Sequence, residues 1–599
     1  MNQHFNHILP LLIMSALAAC EAGEDASAIQ PVADRILLNA DVYTVNEAQP
    51  WAEAIAIRNE KIIFVGDTAG ARAHQGPDTD VVDLGGRFVL PGFQDAHIHP
   101  LEGASLDTFF GCRLEELSRQ VDNPESWLDY LRTCDDDERA IDWVLGGGHD
   151  LSQLVDIGRM PKEILDEAMP DVPVALMEKS SHSFWVNSIA LERAGITKET
   201  PDPQGGIIVR DPVTGEPNGI LTDSAGDEIA HFALQATPEL QEARYRALLI
   251  SQDMMTSVGI TSATNARVYW DRGNAEPWLR AEKEGTLKTR SIMAIWAYPH
   301  MEDDAQLATI KTMYRDDHYQ GDTPSLLRWS QVKFYSDGVV SNNSGAVLEP
   351  YTRFVYPSLA KRPRGGNYFT EERLKRYITE LERVGFDVHI HALADRAVQE
   401  SLNAIAFAQS QNPNLIGLRR HQLTHISLID EADIPRFAEL GAIPNIQITY
   451  GDDGSETEEE ESLPEDEEVN EEDGWISIIA NTKAHFSPVI NIHETGARVV
   501  ISSDWDVSPM SPLVAVQTMI EQSEGRWRKD EALEFILKAH TLNAAYAMQH
   551  DDVTGSIEIG KFADLVVLDD NFFEIPTDRI RHTEIVTTYL SGEPMYQRN

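Results

Sequence analysis

The stretch from residue 89 to 100, VLPGFQDAHIHP, decides how the rest of the chain is interpreted. It contains an apolar run, a Pro-Gly turn and two histidines, His97 and His99, two positions apart. Side chains at that spacing on a strand point to the same face, so the pair could bind one metal ion. The pattern alone is weak, because histidines in strands also pack or form hydrogen bonds. Pro100 follows directly, as expected for a strand that delivers ligands to the mouth of a site.

Further histidines and an aspartate lie at the ends of later apolar runs. Each of them, taken alone, is more typical of a structural role than of a catalytic one. Taken together, they match the strand ends at which barrel folds place their active sites. The residues are His389 and His391 in VHIHALADRAV (388–398), His421 and His425 in RRHQLTHISLI (419–429), and Asp504 in RVVISSDWDVSP (498–509).

A lysine lies inside another apolar stretch. In WSQVKFYSDG at 329–338, a strand interpretation places Lys333 between Val332 and Phe334. A cation in such surroundings needs a paired charge or a chemical modification. The alternative is a lysine that points outward from an edge strand.

Apolar strand-like runs alternate with amphipathic helical stretches from about residue 91 to 550. This alternation predicts an α/β fold with a parallel sheet or barrel. Residues 105–235 fit the rhythm poorly, and we interpret them as a lobe inserted into the barrel. Short strands and turns fill residues 32–90 and 551–599. We expect these two segments to pair as one small β-sandwich beside the barrel.

Several motifs together resemble the YtcJ-like, amidohydrolase-3 branch of the amidohydrolase superfamily. In that superfamily the order HxH, Lys, His, His, Asp falls on strands one, four, five, six and eight of a (β/α)8 barrel. The resemblance covers roughly residues 32–596. It rests on PGFQDAHIHP (91–100), HSFWVNSIAL (182–191), GGIIVRDPVTGEPNGIL (205–221), KFYSDG (333–338), HALADRAV (391–398), SSDWDVSP (502–509), HTLNAAYAM (540–548) and GSIEIGKFADLVVLD (555–569).

The resemblance implies a centre for one or two divalent metal ions, with zinc as the expected metal. His97 and His99 would bind one ion. His391 and His425 would bind the second, and a carboxylated Lys333 would bridge the two. His391 is preferred to His389 as the ligand because it begins the HALADRA motif.

The resemblance also implies two catalytic residues. Asp504 would bind metal, take a proton from the attacking water and pass it to the leaving nitrogen. His182 would stabilise the developing oxyanion, and a packed loop histidine is its alternative interpretation.

One position departs from the branch, which usually carries an acidic residue before the histidine of strand six. Here Thr424 precedes His425. The ligand is kept while its neighbour has changed, and His421 then becomes a competing ligand.

The implied activity is metal-dependent hydrolysis of a non-peptide C–N bond in an N-acyl compound, a formamide or a cyclic amide. One alternative is an esterase, lactonase or isomerase that uses the same metal site. The other is a catalytically inert binding lipoprotein at the cell surface. The complete ligand set argues against an inert protein, because a binder has no need of an activated water.

The charge of the chain limits its partners. Its 599 residues carry 49 Lys and Arg against 98 Asp and Glu, a net charge of −49, so nucleic acid is an unsuitable partner and a small-molecule substrate is expected. Residues 452–473 hold 14 of the acidic residues and no Lys or Arg, which predicts a solvated surface loop. The sequence leaves open whether the protein is a monomer or a homodimer.

The first twenty residues have the features of an export signal. The apolar run at 8–19 is too short to span a bilayer, and LAAC at 17–20 resembles a bacterial lipobox. We therefore predict a lipoprotein signal peptide over 1–20, acylation of Cys20 and a short linker at 21–31. The mature protein would be anchored in the cell envelope and face the periplasm. A plain secretory signal is the alternative, because no Lys or Arg precedes the run.

Export changes how the other two cysteines are interpreted. Cys112 and Cys134 are 22 positions apart, and the chain has 3 cysteines in all. In an oxidising compartment this pair is expected to form one disulfide, with two buried thiols as the alternative.

Overall fold

The computed structural model describes residues 30–105, 110–120, 123–135, 141–155, 157–316, 325–449 and 478–598. The predicted signal peptide with Cys20, most of the linker and the acidic segment 452–473 lie outside the described residues and stay predictions. Among the helices that are described, none is long and apolar enough to cross a membrane.

Eight parallel strands form the barrel sheet, which confirms the predicted fold class. Each strand pairs with the next along the chain, as right-handed strand–helix–strand connections require. In chain order they are β1 Phe93–Ile98, β2 Ile260–Val268, β3 Arg290–Trp296, β4 Leu327–Tyr335, β5 Asp387–Ala392, β6 Gln422–His425, β7 Ile443–Ile446 and β8 Val500–Ile501.

Backbone hydrogen bonds join the first and last strands at the mouth of the barrel. The Asp504 amide donates to the His97 carbonyl at 2.9 Å, and the His99 amide donates to the Trp505 carbonyl at 2.6 Å. The segment that follows β8 is therefore fixed against His97 and His99.

A helix follows each strand and packs its apolar face on the barrel. The helix after β4 shows how the sequence sets such an element: Thr370 caps its first turn, and Leu374, Tyr377, Ile378 and Leu381 are its buried apolar positions. The eight helices are α1 Pro238–Ser257, α2 Glu276–Glu284, α3 Asp303–Thr312, α4 Glu371–Glu382, α5 Asp395–Gln411, α6 Arg436–Leu440, α7 Val489–Glu494 and α8 Pro512–Gln522.

A six-stranded sheet lies between β1 and α1 in the sequence and forms the inserted lobe. Cys112 and Cys134 pair as a disulfide within this lobe. Its strands are Cys112–Arg113, Val144–His149, Val174–Glu178, Ser183–Val186, Gly206–Arg210 and Pro217–Asp223. Its helices of five or more residues are Glu115–Gln120, Pro161–Ala168, Ser188–Arg193 and Asp227–Ala233.

Strands from both ends of the chain form one hydrogen-bonded sheet, called the end sheet below. Successive residues face opposite sides of it: Leu37 packs in one apolar cluster, and Ile36 and Leu38 pack in another. Its strands are Arg35–Tyr43, Trp51–Ala52, Ala54–Arg58, Lys61–Gly66, Asp80–Pro91, Leu565–Leu568, Ile585–Leu590 and Glu593–Gln597.

Smaller elements complete the chain. Leu428–Asp430 and Ala484–Phe486 pair antiparallel on either side of the acidic segment. The remaining α-helices outside the lobe, among the described residues, are Thr68–Arg72 and Pro100–Gly103 near the start and Lys529–Ala539 and Leu542–Ala547 near the end.

Candidate metal centre

Two histidines converge on one carboxylate at the mouth of the barrel. The Nε2 atoms of His97 and His99 lie 3.0 Å and 2.9 Å from Oδ1 of Asp504. One ligand atom from each of the three residues lies within 4.8 Å of the others, and all three side chains are buried. Imidazole nitrogens and a carboxylate oxygen at this spacing form a donor set that suits zinc.

Two further predicted ligands border this group. The rings of His391 and His425 are 4.4 Å apart between centroids, and the His425 ring lies 5.0 Å from that of His97. Oδ2 of Asp504 faces the second pair, with Nδ1 of His425 at 3.9 Å. The carboxylate of Asp504 therefore lies between the two histidine pairs.

Lys333 lies on β4 in register with His389 of β5, inside the barrel. Its side chain is fully buried, and Nζ has no hydrogen-bond partner among the described residues. Burial lowers the pKa of Lys333 well below its usual value, and Asp504 opposes this only partly. The outward-pointing alternative is therefore wrong.

The backbone is strained where two predicted ligands leave their strands. His425, the last residue of β6, and Asp504, three residues beyond β8, have φ angles of 77° and 56°. Residues other than glycine rarely occupy the left-handed region, although Asn, Asp and His enter it most readily. Such strain persists where the surrounding structure holds it, and it concentrates at functional sites.

A chain of hydrogen bonds fixes which nitrogen of His97 carries its proton. Gln331 uses its amide nitrogen on the Ala547 carbonyl, so its Oε1 accepts from Nδ1 of His389 at 3.1 Å. A neutral His389 then presents the lone pair of Nε2, which accepts from Nδ1 of His97 at 2.8 Å. The remaining nitrogen of a neutral His97, Nε2, faces the Asp504 carboxylate with a lone pair.

Two lone pairs cannot face each other at 3.0 Å without a positive charge between or beside them. Protonation of His97 is disfavoured, because burial lowers its pKa to about 4. Although burial opposes it, the pKa of Asp504 lies well below its usual range, and a hydrogen bond from Nε2 of His99 contributes to this, so the carboxylate stays ionised. The residues present therefore fit a bound cation.

Two buried aspartates hold the ligand-bearing strands. Oδ1 of Asp337 lies 3.1 Å from Nδ1 of His391 and accepts the Leu393 amide at 3.0 Å. Asp95 accepts the amides of His97 and Ser503. A carboxylate on the second nitrogen of a metal-binding histidine orients the ring and raises its basicity.

His182, a residue of the inserted lobe, lies beside the predicted metal ligands. Its ring stacks on Tyr335 at 5.3 Å and lies 5.0 Å from that of His391. Nδ1 lies 3.0 Å from Asp223, which also accepts the Tyr368 hydroxyl at 2.9 Å. A lobe residue therefore contacts the ligand group of the barrel.

A cavity of about 210 Å³ lies between the lobe and the barrel mouth, beside the ligand group. His182 and Tyr335 form its wall on the metal side. Much of the remaining wall is apolar. That part of the lining includes Phe110, Leu145, Met177, Phe184, Ile229 and Trp296.

The structure separates His421 from the other predicted ligands. Nε2 of His421 lies 3.1 Å from Glu382 of α4, and Nδ1 accepts the Val388 amide at 3.1 Å. Both nitrogens are therefore used outside the barrel interior, and His421 is wrong as a competing ligand. Thr424 donates its hydroxyl to the Ile390 carbonyl at 3.3 Å, in the place of the acidic residue that the branch usually carries.

Several residues of the site were not singled out from the sequence. Asp223 ends the apolar run NGILTD, the same signal that marked Asp504, and could have been found. Asp337 lies inside the KFYSDG motif, and Tyr335 is two residues beyond Lys333 and shares its face. Arg267 lies on β2, in a stretch that matches none of the motifs quoted above.

The comparisons with known proteins agree with this geometry. The model of the Amidohydrolase family matches residues 80–596. The chain belongs to the amidohydrolase family. It is 26% identical to the N-substituted formamide deformylase of Arthrobacter pascens over 94% of this chain and 98% of that protein.

Two further proteins are similar to this chain. The protein YtcJ of Bacillus subtilis (strain 168) is 25% identical over 93% of this chain and 98% of its own length. Among solved structures, an uncharacterized metal-dependent hydrolase from Pyrococcus horikoshii OT3 has a TM-score of 0.65 at 18% identity, over 91% of this chain and 99% of that one. The chain is thus a hydrolase of the amidohydrolase family, and its similarity to YtcJ extends along almost its whole length.

Proposed function

We propose that this amidohydrolase cleaves a non-peptide amide, namely an N-acyl compound, a formamide or a cyclic amide. The observation that carries the proposal is the convergence of His97 and His99 on the Asp504 carboxylate. The full-length similarity to an N-substituted formamide deformylase supports an amide with a substituent on its nitrogen. The largely apolar cavity beside the centre could accept that substituent.

The proposed ligands are those that lie together at the barrel mouth. His97, His99 and Asp504 would hold one divalent ion, and His391 and His425 a second. Zinc suits these ligands best, and one or two ions fit the arrangement. When bound, the metal lowers the pKa of a water molecule and polarises the scissile carbonyl.

Carboxylation of Lys333 is part of the proposal. Burial keeps its amine neutral, so the nitrogen lone pair can attack the carbon of CO2. A C–N bond forms, one amine proton is lost, and the product is a carbamate with one negative charge. The carbamate would add an oxygen ligand between the two histidine pairs, at the end of a side chain whose Nζ atom has no hydrogen-bond partner among the described residues.

Asp504 moves the proton in the proposed reaction. Its carboxylate takes a proton as water oxygen bonds to the carbonyl carbon, and the C=O π pair moves to the substrate oxygen. When the oxygen lone pair re-forms the carbonyl, the C–N bond breaks and Asp504 delivers the proton to the nitrogen. His182 faces the same space, with Nδ1 held by Asp223. Its Nε2 can donate to the oxyanion only when both nitrogens carry a proton.

The proposal is tested with purified, zinc-loaded protein on an N-substituted formamide, an N-acetyl amine and a cyclic amide. We expect hydrolysis of at least one amide, with release of the amine or ring opening. Asp504→Asn should lose at least a thousandfold in kcat while its circular dichroism spectrum stays that of the wild type. A wild-type enzyme that cleaves only esters or lactones would refute the proposal, and so would one that is inert to every substrate.

A further inference from the structure

We propose that Tyr335 is a catalytic residue that donates its hydroxyl hydrogen to the carbonyl oxygen of the substrate, and that Arg267 positions and polarises this hydroxyl. The inference rests on the proposed amide hydrolysis and assigns a role that the ligand set leaves open. It starts from the location of the ring. Tyr335 ends β4, two residues beyond Lys333 on the same face, and lines the cavity.

The Tyr335 ring is fixed from three sides. Its centroid lies 4.4 Å from that of the His391 ring and 4.7 Å from Trp296, and it stacks on His182. A side chain with two rotatable bonds in this packing has one accessible position. The hydroxyl is therefore held beside the proposed ligands, on the side where the substrate would enter.

The hydrogen bonds around Tyr335 show where its hydroxyl hydrogen points. Nη1 of Arg267 lies 3.0 Å from the Tyr335 oxygen, and a guanidinium can only donate. The Tyr335 oxygen is thus an acceptor in this contact, and its own hydrogen must point elsewhere. In the described part of the chain, no acceptor receives that hydrogen. The cavity that Tyr335 and Arg267 both line is the remaining direction.

Two neighbouring carboxylates fix the Arg267 side chain in its contact with the Tyr335 hydroxyl. Its side chain is buried between two carboxylates, with Glu102 at 3.5 Å from Nε and Asp506 at 4.0 Å from Nη2. These acids balance the charge, while Nε makes no hydrogen bond within the described residues. Hydrogen bonding from a cation to a hydroxyl oxygen makes the hydroxyl hydrogen a stronger donor.

The reaction needs such a donor. When water adds to the amide carbon, the carbonyl oxygen becomes an oxyanion, and a fixed donor in a buried site stabilises that charge. Tyr335 supplies a hydrogen bond without losing its proton, because a phenol is protonated at neutral pH. His182 provides the same contact only as a cation. Tyr335 is therefore the donor that works with neutral neighbours.

The test is Tyr335→Phe in the zinc-loaded full-length enzyme, on whichever amide the wild type hydrolyses. Loss of a single oxyanion donor lowers kcat by about 10²–10³-fold, and we expect that loss with KM, zinc content and melting temperature unchanged. The matched control is Tyr351→Phe. The Tyr351 hydroxyl is buried away from the cavity and donates to the Gly345 carbonyl at 2.8 Å. The control should keep the wild-type kcat.

A second pair of variants tests the role of Arg267. Arg267→Lys keeps the charge but removes the planar donor, and we expect kcat to fall about tenfold. The double variant with Tyr335→Phe should be no slower than Tyr335→Phe alone, because both changes act through one hydroxyl. A phosphonamidate analogue of the tetrahedral intermediate should bind to Tyr335→Phe more weakly by the factor lost in kcat/KM.

The outcomes separate this inference from the proposed function. A wild-type enzyme that hydrolyses the amide while Tyr335→Phe matches it in kcat overturns the role of Tyr335. Loss of zinc or a lower melting temperature in Tyr335→Phe would mean a structural role and would overturn it as well. A wild-type enzyme inert to amides contradicts the proposed function itself.

Discussion

Replacing His389 should weaken metal binding although His389 is not among the proposed ligands. In the structure, Nε2 of His389 accepts from Nδ1 of His97 at 2.8 Å, and Gln331 fixes the other side of the His389 ring. His389→Leu removes the acceptor that leaves Nε2 of His97 free to bind metal. The loss of such an outer partner typically lowers metal affinity by about 10–100-fold, or roughly 1.4–2.7 kcal/mol.

The assay is competition for zinc against a chelator of known affinity, followed at equilibrium. His389→Gln keeps an amide oxygen that can accept from His97, and it should recover part of the affinity. His421→Gln is the control, because His421 pairs with Glu382 outside the barrel interior. It should lower stability without changing zinc affinity. Wild-type zinc affinity in His389→Leu would refute the hydrogen-bond chain.

Three further predictions concern stability. Arg290 on β3 and Asp564, which directly precedes the end-sheet strand Leu565–Leu568, form a buried two-point ion pair at 2.7 Å and 3.1 Å. Arg290→Met leaves the buried Asp564 carboxylate without its partner charge. It should lower the free energy of unfolding, measured with denaturant, by about 3–5 kcal/mol, with partial recovery in the double variant with Asp564→Leu. A loss below 1 kcal/mol would contradict this. Burial lowers the pKa of His149 to about 3, so its contribution is lost as pH falls from about 6.5 toward 3. The wild type should lose about 2 kcal/mol more than His149→Leu between pH 8 and pH 5, and equal losses would count against the buried neutral ring. The Cys112–Cys134 disulfide closes a 22-residue separation, so Cys112→Ser with Cys134→Ser should lower lobe stability by about 3 kcal/mol, read by proteolysis, and equal protease resistance would oppose this.

The barrel was predictable because its strands and helices leave clear signals. The HxH pattern placed His97 on β1 and His99 directly after it, and the KFYSDG motif placed Lys333 on β4. These signals are local: they depend on residue type and spacing within about ten positions. The order of these motifs along the chain matches the order of ligands in the amidohydrolase superfamily, and this resemblance assigned each predicted ligand to a barrel strand.

The hydrogen-bond partners of the site could not be predicted in the same way. His97 and His389 are far apart in sequence, and only closure of the barrel brings their rings together. Arg267 was missed for another reason. All nine residues of β2 are buried, including Thr264, Asn265 and Arg267, so the alternation of apolar and polar residues that marks a half-buried strand is absent there.

The end sheet also sets the order in which the protein can fold. Strand Asp80–Pro91 lies between Arg35–Tyr43, which is made early, and Leu565–Leu568, which is made near the end of synthesis. One edge of this strand therefore stays unpaired until almost the whole chain has been synthesised. An unpaired strand edge can form hydrogen bonds with other chains. A contact between residues so far apart in the sequence forms slowly. Chains truncated before Leu565 should thus aggregate even though the truncation removes none of the proposed metal ligands.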